Sequence, residues 1–221
     1  MRTKISIIYG TSGAGKSTLA EKVSRDLDKP NVIGTEMLRQ IMKTNMHQKK
    51  YCFIRDNTYY SIDDIAKYEQ LSEKERWKQI MRNYFQECYP VIKYADSLLN
   101  RTVEEGKTLV LKGVHMNPHW INNLPVYKNN KELFDQYLVF VGDSQTHMYN
   151  FIKRAIDNPK RDGTKYLNNF QEVRWVHDYL CKTADRYKEI KKIDNSVIDH
   201  EKLGNMPEIR VWMQNYQINL K

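Results

Sequence analysis

The stretch that decides the fold is Gly10-Thr11-Ser12-Gly13-Ala14-Gly15-Lys16-Ser17, which satisfies the pattern G-x-x-x-x-G-K-[ST] in full. In such a loop the backbone N–H groups cradle phosphate oxygens, the lysine reaches the β- and γ-phosphates, and the hydroxyl coordinates Mg²⁺. The pattern is informative only between a strand and a helix. Lys4–Tyr9 predicts a buried strand before it, and Lys16–Leu27 carries apolar residues at helical spacing after it.

We therefore expect this loop to bind the triphosphate of ATP, with Mg²⁺ on the Ser17 hydroxyl. The predicted nucleotide-binding residues are Gly10, Thr11, Ser12, Gly13, Ala14, Gly15, Lys16, Ser17 and Thr18. Lys16 is also a predicted catalytic residue, because its charge would follow the transferring phosphate.

Outward from the loop, strand-length segments alternate with helical ones. Further strands are predicted at Asn31–Ile33, Thr108–Leu111, Tyr137–Val141 and near Lys192–Ile193. A long helical pattern opens with a capping box at Ser72–Glu75 and continues to Glu105. This alternation predicts a three-layer α/β fold of the P-loop kinase type, with a parallel sheet of about five strands flanked by helices and a helical lid. We expect one domain over residues 1–221.

Bulk properties limit the class of protein and its partners. The 221 residues carry a formal net charge of +9 and a pI near 9.3, which favours anionic partners such as phosphorylated metabolites or nucleic acid. The longest apolar runs are only strand-length, so we expect no membrane association. The three cysteines are far apart, which argues against disulfides or zinc and favours a cytoplasmic location. A monomer and a homodimer are both compatible with the sequence.

One acidic and one basic residue near the second strand are candidate catalytic residues. Glu36 follows that strand, where a carboxylate can accept the proton of an acceptor hydroxyl or hold a metal-bound water. Arg39 lies one turn further along and can grip an anionic acceptor with its planar guanidinium. We predict a catalytic role for both, and a metal-binding role for Glu36 together with Ser17.

Two further segments are predicted to place cations and hydrogen-bond donors around the phosphates. The turn-rich stretch Asp157–Lys165 is bracketed by basic residues, and the region of about 153–170 is predicted to be a mobile lid that brings Arg154 and Arg161 onto the γ-phosphate. His115 follows the third strand and is expected to face the cleft, because ligands of α/β proteins bind at the carboxyl ends of strands.

Several stretches, in order along most of the chain, resemble the archaeal-type 2-phosphoglycerate kinases and their eukaryotic and viral relatives. They are Gly10–Thr18, Val32–Arg39, Leu109–Met116, Lys165–Arg174 and Lys192–Asn195. The resemblance implies transfer of the ATP γ-phosphate to 2-phosphoglycerate. Substrate-binding roles are predicted for Arg39, Arg55, Lys112, His115, Lys165 and Arg174.

The chain departs from the family pattern at two positions of the site. Lys112 stands where the family usually has an acid, and Glu36 replaces the commoner aspartate. Some archaeal members have a nucleotide-sensing domain before the kinase domain, and we expect no counterpart of it here. These departures bear on the acceptor and on metal binding rather than on the type of reaction.

Three alternatives to a 2-phosphoglycerate-like acceptor stay open at the level of sequence. The high positive charge suits an inositol phosphate kinase on the same fold, and plant relatives of the family are linked to inositol phosphates. Charge plus the aromatic residues Tyr51, Phe53, Tyr59 and Tyr60 suit a polynucleotide 5′-hydroxyl kinase. Lys112 suits a nucleotide-binding module without catalysis.

Overall fold

The computed structural model describes residues 3–45, 68–157 and 164–196. The strands are β1 (Lys4–Tyr9), β2 (Asn31–Gly34), β3 (Thr108–Gly113), β4 (Phe134–Phe140) and β5 (Ile190–Asp194). The helices are α1 (Lys16–Arg25), α2 (Thr35–Asn45), α3 (Glu73–Glu104), α4 (Pro118–Ile121), α5 (Pro125–Asn129), α6 (Ser144–Asp157), α7 (Thr164–Leu167) and α8 (Phe170–Ala184). A 3₁₀ turn covers Lys131–Leu133.

The five strands form one parallel sheet in the order β2-β3-β1-β4-β5. Strand β1 lies in the centre, and Tyr9, its last residue, is level with Gly113 of β3 and Leu138 of β4. The carboxyl ends of β1, β2 and β3 therefore meet at one edge of the sheet. This arrangement confirms the predicted parallel α/β fold.

Alternating side chains of the strands bury both faces of the sheet. Ile5 and Ile7 of β1 pack into the larger core with residues of α3 and α8, whereas Ile8 packs with Val110 and with Ala20 of α1 on the other face. Successive strand residues point to opposite faces, so one isoleucine-rich strand serves both layers. The result is a sheet between two helical layers.

The long helix α3 begins at the predicted capping box. The Ser72 side chain accepts a hydrogen bond from the backbone nitrogen of Glu75, and the Glu75 carboxylate accepts one from the backbone nitrogen of Ser72 at 3.0 Å. Reciprocal capping satisfies two backbone donors that the first turn leaves without partners.

In the residues that the structure describes, no helix combines the length and the apolarity that a bilayer crossing requires.

Some strand boundaries differ from the sequence expectation. Strand β4 begins three residues before the predicted Tyr137 and includes the polar residues Asp135 and Gln136. Asp135 forms ion pairs with Lys4 and Lys191 on the two neighbouring strands, and Gln136 accepts a buried hydrogen bond from Tyr9. Polar residues thus fit into this strand because they have partners on the neighbouring strands. The apolar pattern of the sequence does not detect this part of the strand.

Candidate active site

The loop between β1 and α1 takes a backbone shape that requires glycine at two positions. Gly10 and Gly15 have φ angles of +145° and +102°. A Cβ atom at Gly10 would lie 2.5 Å from the carbonyl oxygen of Val139, and one at Gly15 would lie 2.5 Å from the side-chain nitrogen of Asn195. The loop is therefore wrapped against the ends of β4 and β5, and α1 begins directly after it with its N-terminus at the site.

Two side chains of α6 hold the backbone of the loop. His147 donates a hydrogen bond from Nε2 to the carbonyl oxygen of Ser12 at 2.7 Å, and Asn150 donates one from Nδ2 to the carbonyl oxygen of Gly13 at 2.9 Å. Because these carbonyl oxygens are occupied, the loop is fixed before any ligand arrives. A fixed loop has its N–H groups available for an anion without the cost of ordering them.

The segment after β5 holds the loop from another side. Asn195 donates from Nδ2 to the carbonyl oxygen of Ala14 at 3.1 Å. Its neighbours Asp194 and Ser196 are bonded to each other, and the Ser196 hydroxyl accepts a 2.7 Å hydrogen bond from the backbone nitrogen of Gly142. The ends of β4 and β5 are thus joined beside the phosphate loop.

Two buried histidines under the loop are uncharged at neutral pH. Burial lowers the pKa of His147 to about 4, although the hydrogen bond to Ser12 opposes the shift. Burial and the charge of Arg174 lower the pKa of His177 to about 3. His177 Nδ1 lies 3.2 Å from the hydroxyl of Thr11. Both rings therefore act as neutral hydrogen-bonding groups that support the loop.

Lys16 carries a charge that the protein alone does not fully stabilise. Its ammonium donates a 2.7 Å hydrogen bond to the carbonyl oxygen of Thr11. Desolvation lowers its pKa to about 8; Glu36 opposes this shift, whereas Arg154 and Lys112 add to it. A bound phosphate would stabilise the charged form of Lys16, because an anion favours a nearby ammonium.

The sheet order brings Glu36 to the same edge of the sheet as the phosphate loop. Glu36 is the second residue of α2 and follows the end of β2, two strands from the phosphate loop. Desolvation raises its pKa, but the charges of Lys16 and His115 outweigh this effect, and the pKa lies below its usual value of 4.5. Glu36 is therefore a carboxylate at neutral pH, as a base or a metal ligand must be.

Lys112, the fifth residue of β3, reaches the first turn of α1. Its ammonium donates a 2.7 Å hydrogen bond to the hydroxyl of Ser17. Ser17 and Glu36 supply the oxygen ligands that Mg²⁺ prefers, so the donor set fits the metal in part. Within residues 3–45, 68–157 and 164–196 there is no group of three or more His, Cys, Asp or Glu side chains that could hold an ion by itself. Lys112 thus places a cation on the hydroxyl expected to bind the metal.

A buried network behind the cleft corrects the expected placement of His115. This residue is only 1% exposed, and its ring contacts the hydroxyl of Thr35 at 2.9 Å and the carboxylate of Glu87 at 3.6 Å. Arg39 also forms an ion pair with Glu87, with 3.5 Å between Nη2 and Oε1. The Thr35 hydroxyl fills the space beside Gly113, and His115 therefore lies beneath the cleft rather than on its surface.

A cleft of about 430 Å³ opens at the phosphate loop. Its lining residues are Gly13, Gly15, Lys16, Ser17, Thr18, Asn150, Lys153, Arg154, Asp157 and Asn195. The Arg154 guanidinium lies over the ring of Tyr166, 5.9 Å from its centroid, at the start of the predicted lid. The structure therefore brings Arg154 close to Lys16.

Arg174 has a different environment from the one expected of a substrate ligand. Its Nη1 donates to the carbonyl oxygen of Val141 at 2.8 Å, and its Nη2 lies 3.5 Å from Asp178. The bond to Val141 attaches α8 to the residue after β4, whereas Asp178 belongs to α8 itself. The predicted residues Arg55 and Arg161 and the side chain of Lys165 lie outside the described residues.

Sequence patterns missed the residues that support the loop. His147 and Asn150 were not expected at the site, nor were His177 and Glu87. One signal could have indicated them: His147 is a polar residue on the buried face of an amphipathic helix, four residues before Phe151, whose ring stacks on it at 5.1 Å. A polar side chain in such a position needs a hydrogen-bonding partner.

A family model described as RNA helicase matches residues 6–102. A 2-phosphoglycerate kinase of Methanopyrus kandleri is 29% identical over 88% of this chain and 57% of its own length. That of Methanocaldococcus jannaschii is 24% identical over 88% and 59%, and an uncharacterized protein of Dictyostelium discoideum is 27% identical over 87% and 22%. The chain spans a little over half the length of these archaeal relatives.

Solved structures are less similar in sequence than these relatives. A deoxyadenosine kinase from M. mycoides with bound dCTP has a TM-score of 0.39 at 14% identity, covering 96% of this chain and 98% of that one. A gluconokinase from Sinorhizobium meliloti has a TM-score of 0.43 at 10% identity, covering 97% and 94%. The sequence relatives and the complete phosphate loop agree: the chain is similar over most of its length to the archaeal 2-phosphoglycerate kinases and carries the phosphate-binding loop pattern in full.

Proposed function

We propose that the protein is a kinase that transfers the γ-phosphate of ATP to a hydroxyl of a small phosphorylated acceptor of the 2-phosphoglycerate type. One observation carries the proposal. Lys16 of a complete phosphate loop and Glu36 from a neighbouring strand end lie close enough for each charge to shift the pKa of the other. A cation for the phosphates and an ionised carboxylate thus lie at the same edge of the sheet, where β1 and β2 end on either side of β3.

In this reaction Lys16 follows the charge that develops on the transferring phosphoryl group. Glu36 accepts the proton of the acceptor hydroxyl or orients a metal-bound water. Ser17 and Glu36 would hold Mg²⁺, which when bound neutralises charge on the β- and γ-phosphates. Arg154 lies at the mouth of the cleft, where it can approach the γ-phosphate.

The acceptor is proposed from the names of the relatives and from charge. Several relatives are named 2-phosphoglycerate kinase. Lys153 and Arg154 line the cleft and suit an acceptor that already carries phosphate. Inositol phosphates satisfy the same charge requirement with more phosphate groups, so they belong in any test of the acceptor.

A second candidate is a nucleotide-binding module that does not transfer phosphate. The contact between Lys112 and the Ser17 hydroxyl favours it, because a cation at this hydroxyl opposes metal binding. An intact Lys16 and an ionised Glu36 favour catalysis instead.

The deciding experiment incubates the protein with γ-labelled ATP, Mg²⁺ and one acceptor at a time. The acceptors are 2-phosphoglycerate, several inositol phosphates and a 5′-hydroxyl RNA oligonucleotide. We expect label in 2-phosphoglycerate with the wild-type protein and none with Lys16→Ala. Label in another acceptor would reassign the substrate. Bound ATP without transfer to any of them would support the nucleotide-binding module.

A further inference from the structure

Lys112 occupies a central position at the edge of the sheet where the site is built. It is level with Ile8 of β1 on one side and with Gly34 of β2 on the other. The phosphate loop follows the first of these strands and Glu36 the second. Lys112 therefore comes from the strand between the two parts of the site.

The pleat of β3 directs Lys112 toward α1. Val110, two residues earlier, points to the same face of the sheet and packs with Ala20 of α1. Lys112 continues this face beyond the apolar cluster and reaches Ser17 in the first turn of α1, with 2.7 Å from Nζ to Oγ. The register and the pleat of β3 thus determine where the Lys112 side chain lies.

The charge of Lys112 acts on the phosphate site. It lowers the pKa of Lys16 by repulsion and lowers the pKa of Glu36 by attraction. An ammonium has three donors and no lone pair, so it can bind phosphate oxygens but cannot coordinate a metal ion. It also repels a divalent cation that approaches the same hydroxyl.

We propose that Lys112 is a built-in cation of the phosphate site, which takes over part of the charge neutralisation of the nucleotide and makes its binding largely independent of Mg²⁺. The inference rests on the proposed function only in requiring that the loop binds a nucleoside triphosphate. Phosphate oxygens that contact Lys112 replace its bond to Ser17, so no charge is left without a partner.

The test is equilibrium binding of ATP, measured by calorimetry with Mg²⁺ and again with EDTA. We compare the wild-type protein with Lys112→Met, Lys112→Glu and the control Lys107→Met. Lys107 precedes the opposite end of the same strand, is 59% exposed and pairs with Glu105. The control therefore removes the same charge next to the opposite end of β3, at a distance from the phosphate loop.

For the wild type and for Lys107→Met, we expect the Kd in EDTA to stay within about tenfold of the Kd in Mg²⁺. Lys112→Met should weaken binding in EDTA by about tenfold or more, since a charge-assisted hydrogen bond is lost. Lys112→Glu should bind about 100-fold more weakly in EDTA than in Mg²⁺, because its carboxylate repels a metal-free triphosphate. Thermal melts show whether each variant is folded.

Two results have different meanings. If the wild type and folded Lys112→Met give the same ratio of the two Kd values, Lys112 is not a cation of the nucleotide site and the inference is wrong, while the proposed function survives. If the wild type binds no nucleotide in either buffer, the proposed function itself fails.

Discussion

His147 supports the phosphate loop from below: its Nε2 lies 2.7 Å from the carbonyl oxygen of Ser12, and its ring stacks on Phe151. This relationship predicts a specific effect on nucleotide binding. His147→Phe keeps an aromatic ring in the stack but removes the donor, so the loop must be ordered by the ligand itself. We expect the Kd for ATP to rise by about tenfold, the value of one lost hydrogen bond.

Calorimetric titration with ATP measures this effect. Tyr149→Phe serves as the control, since it lies on the same helix and loses only a hydroxyl. An unchanged Kd in a folded His147→Phe would mean that the loop keeps its shape without this bond.

The two buried histidines predict a loss of stability in acid. Their pKa values, about 4 for His147 and about 3 for His177, lie below the ordinary value of 6.5. Below pH 6.5 the unfolded chain therefore binds more protons than the folded one, and the free energy of unfolding falls as the pH falls toward 4. Each histidine contributes at most about 1.4 kcal/mol per pH unit.

Urea titrations between pH 4.5 and 7.5 would show this slope. The variant His177→Gln should have a shallower slope than the wild type over the same range. Parallel slopes would mean that His177 is not buried as a neutral ring.

Lys16 predicts that ATP binding weakens above pH 8. Its pKa of about 8 in the free protein means that most molecules carry the charged form at pH 7 and few do at pH 9. Since the phosphates select the charged form, the apparent Kd should rise by about tenfold between pH 7 and pH 9. Lys16→Arg keeps its charge throughout this range, so any binding that it retains should not follow this profile.

The proposed role of Glu36 predicts that its replacement lowers kcat much more than it lowers ATP affinity. Glu36→Gln removes the base but keeps the size of the side chain, and we expect kcat to fall by about 100-fold or more while ATP affinity changes little. Steady-state kinetics on the acceptor found by label transfer provide the measurement. Turnover within a few-fold of wild type would exclude a role as base.

The contact between Gly113 and Thr35 predicts a coupled pair. A Cβ atom at residue 113 would lie 1.7 Å from the Thr35 hydroxyl oxygen. Gly113→Ala should therefore lower the free energy of unfolding by about 1–3 kcal/mol. In the double variant with Thr35→Gly the clash is gone, and the added cost of Gly113→Ala should largely disappear. Urea denaturation of all four proteins measures the coupling.

The sequence predicted those parts of the fold that depend on neighbouring residues. The buried strand Lys4–Tyr9, the glycine-rich loop and the capping box at Ser72 are local patterns with local causes, and each was found. The position of His115 was not predictable in this way. It follows a strand end that does face the cleft, but its direction is set by Thr35 and Glu87, which are distant in the chain.

The support of the phosphate loop was missed for the same reason. Asn195 reaches Ala14 across 181 residues of sequence, and no spacing rule links the two. The role of Lys112 was predictable only in part. Its departure from the family pattern was visible in the sequence, but its contact with Ser17 became clear only from the strand order.

The central position of β1 has a consequence for synthesis on the ribosome. Ile5 pairs with Leu109 and with Phe134, which are made 104 and 129 residues later. At about 5–20 residues per second, this isoleucine-rich strand waits roughly 5 to 20 s for its first neighbour. During that time it exposes apolar side chains and unpaired backbone, so the nascent chain is a natural client for chaperones that bind short extended segments.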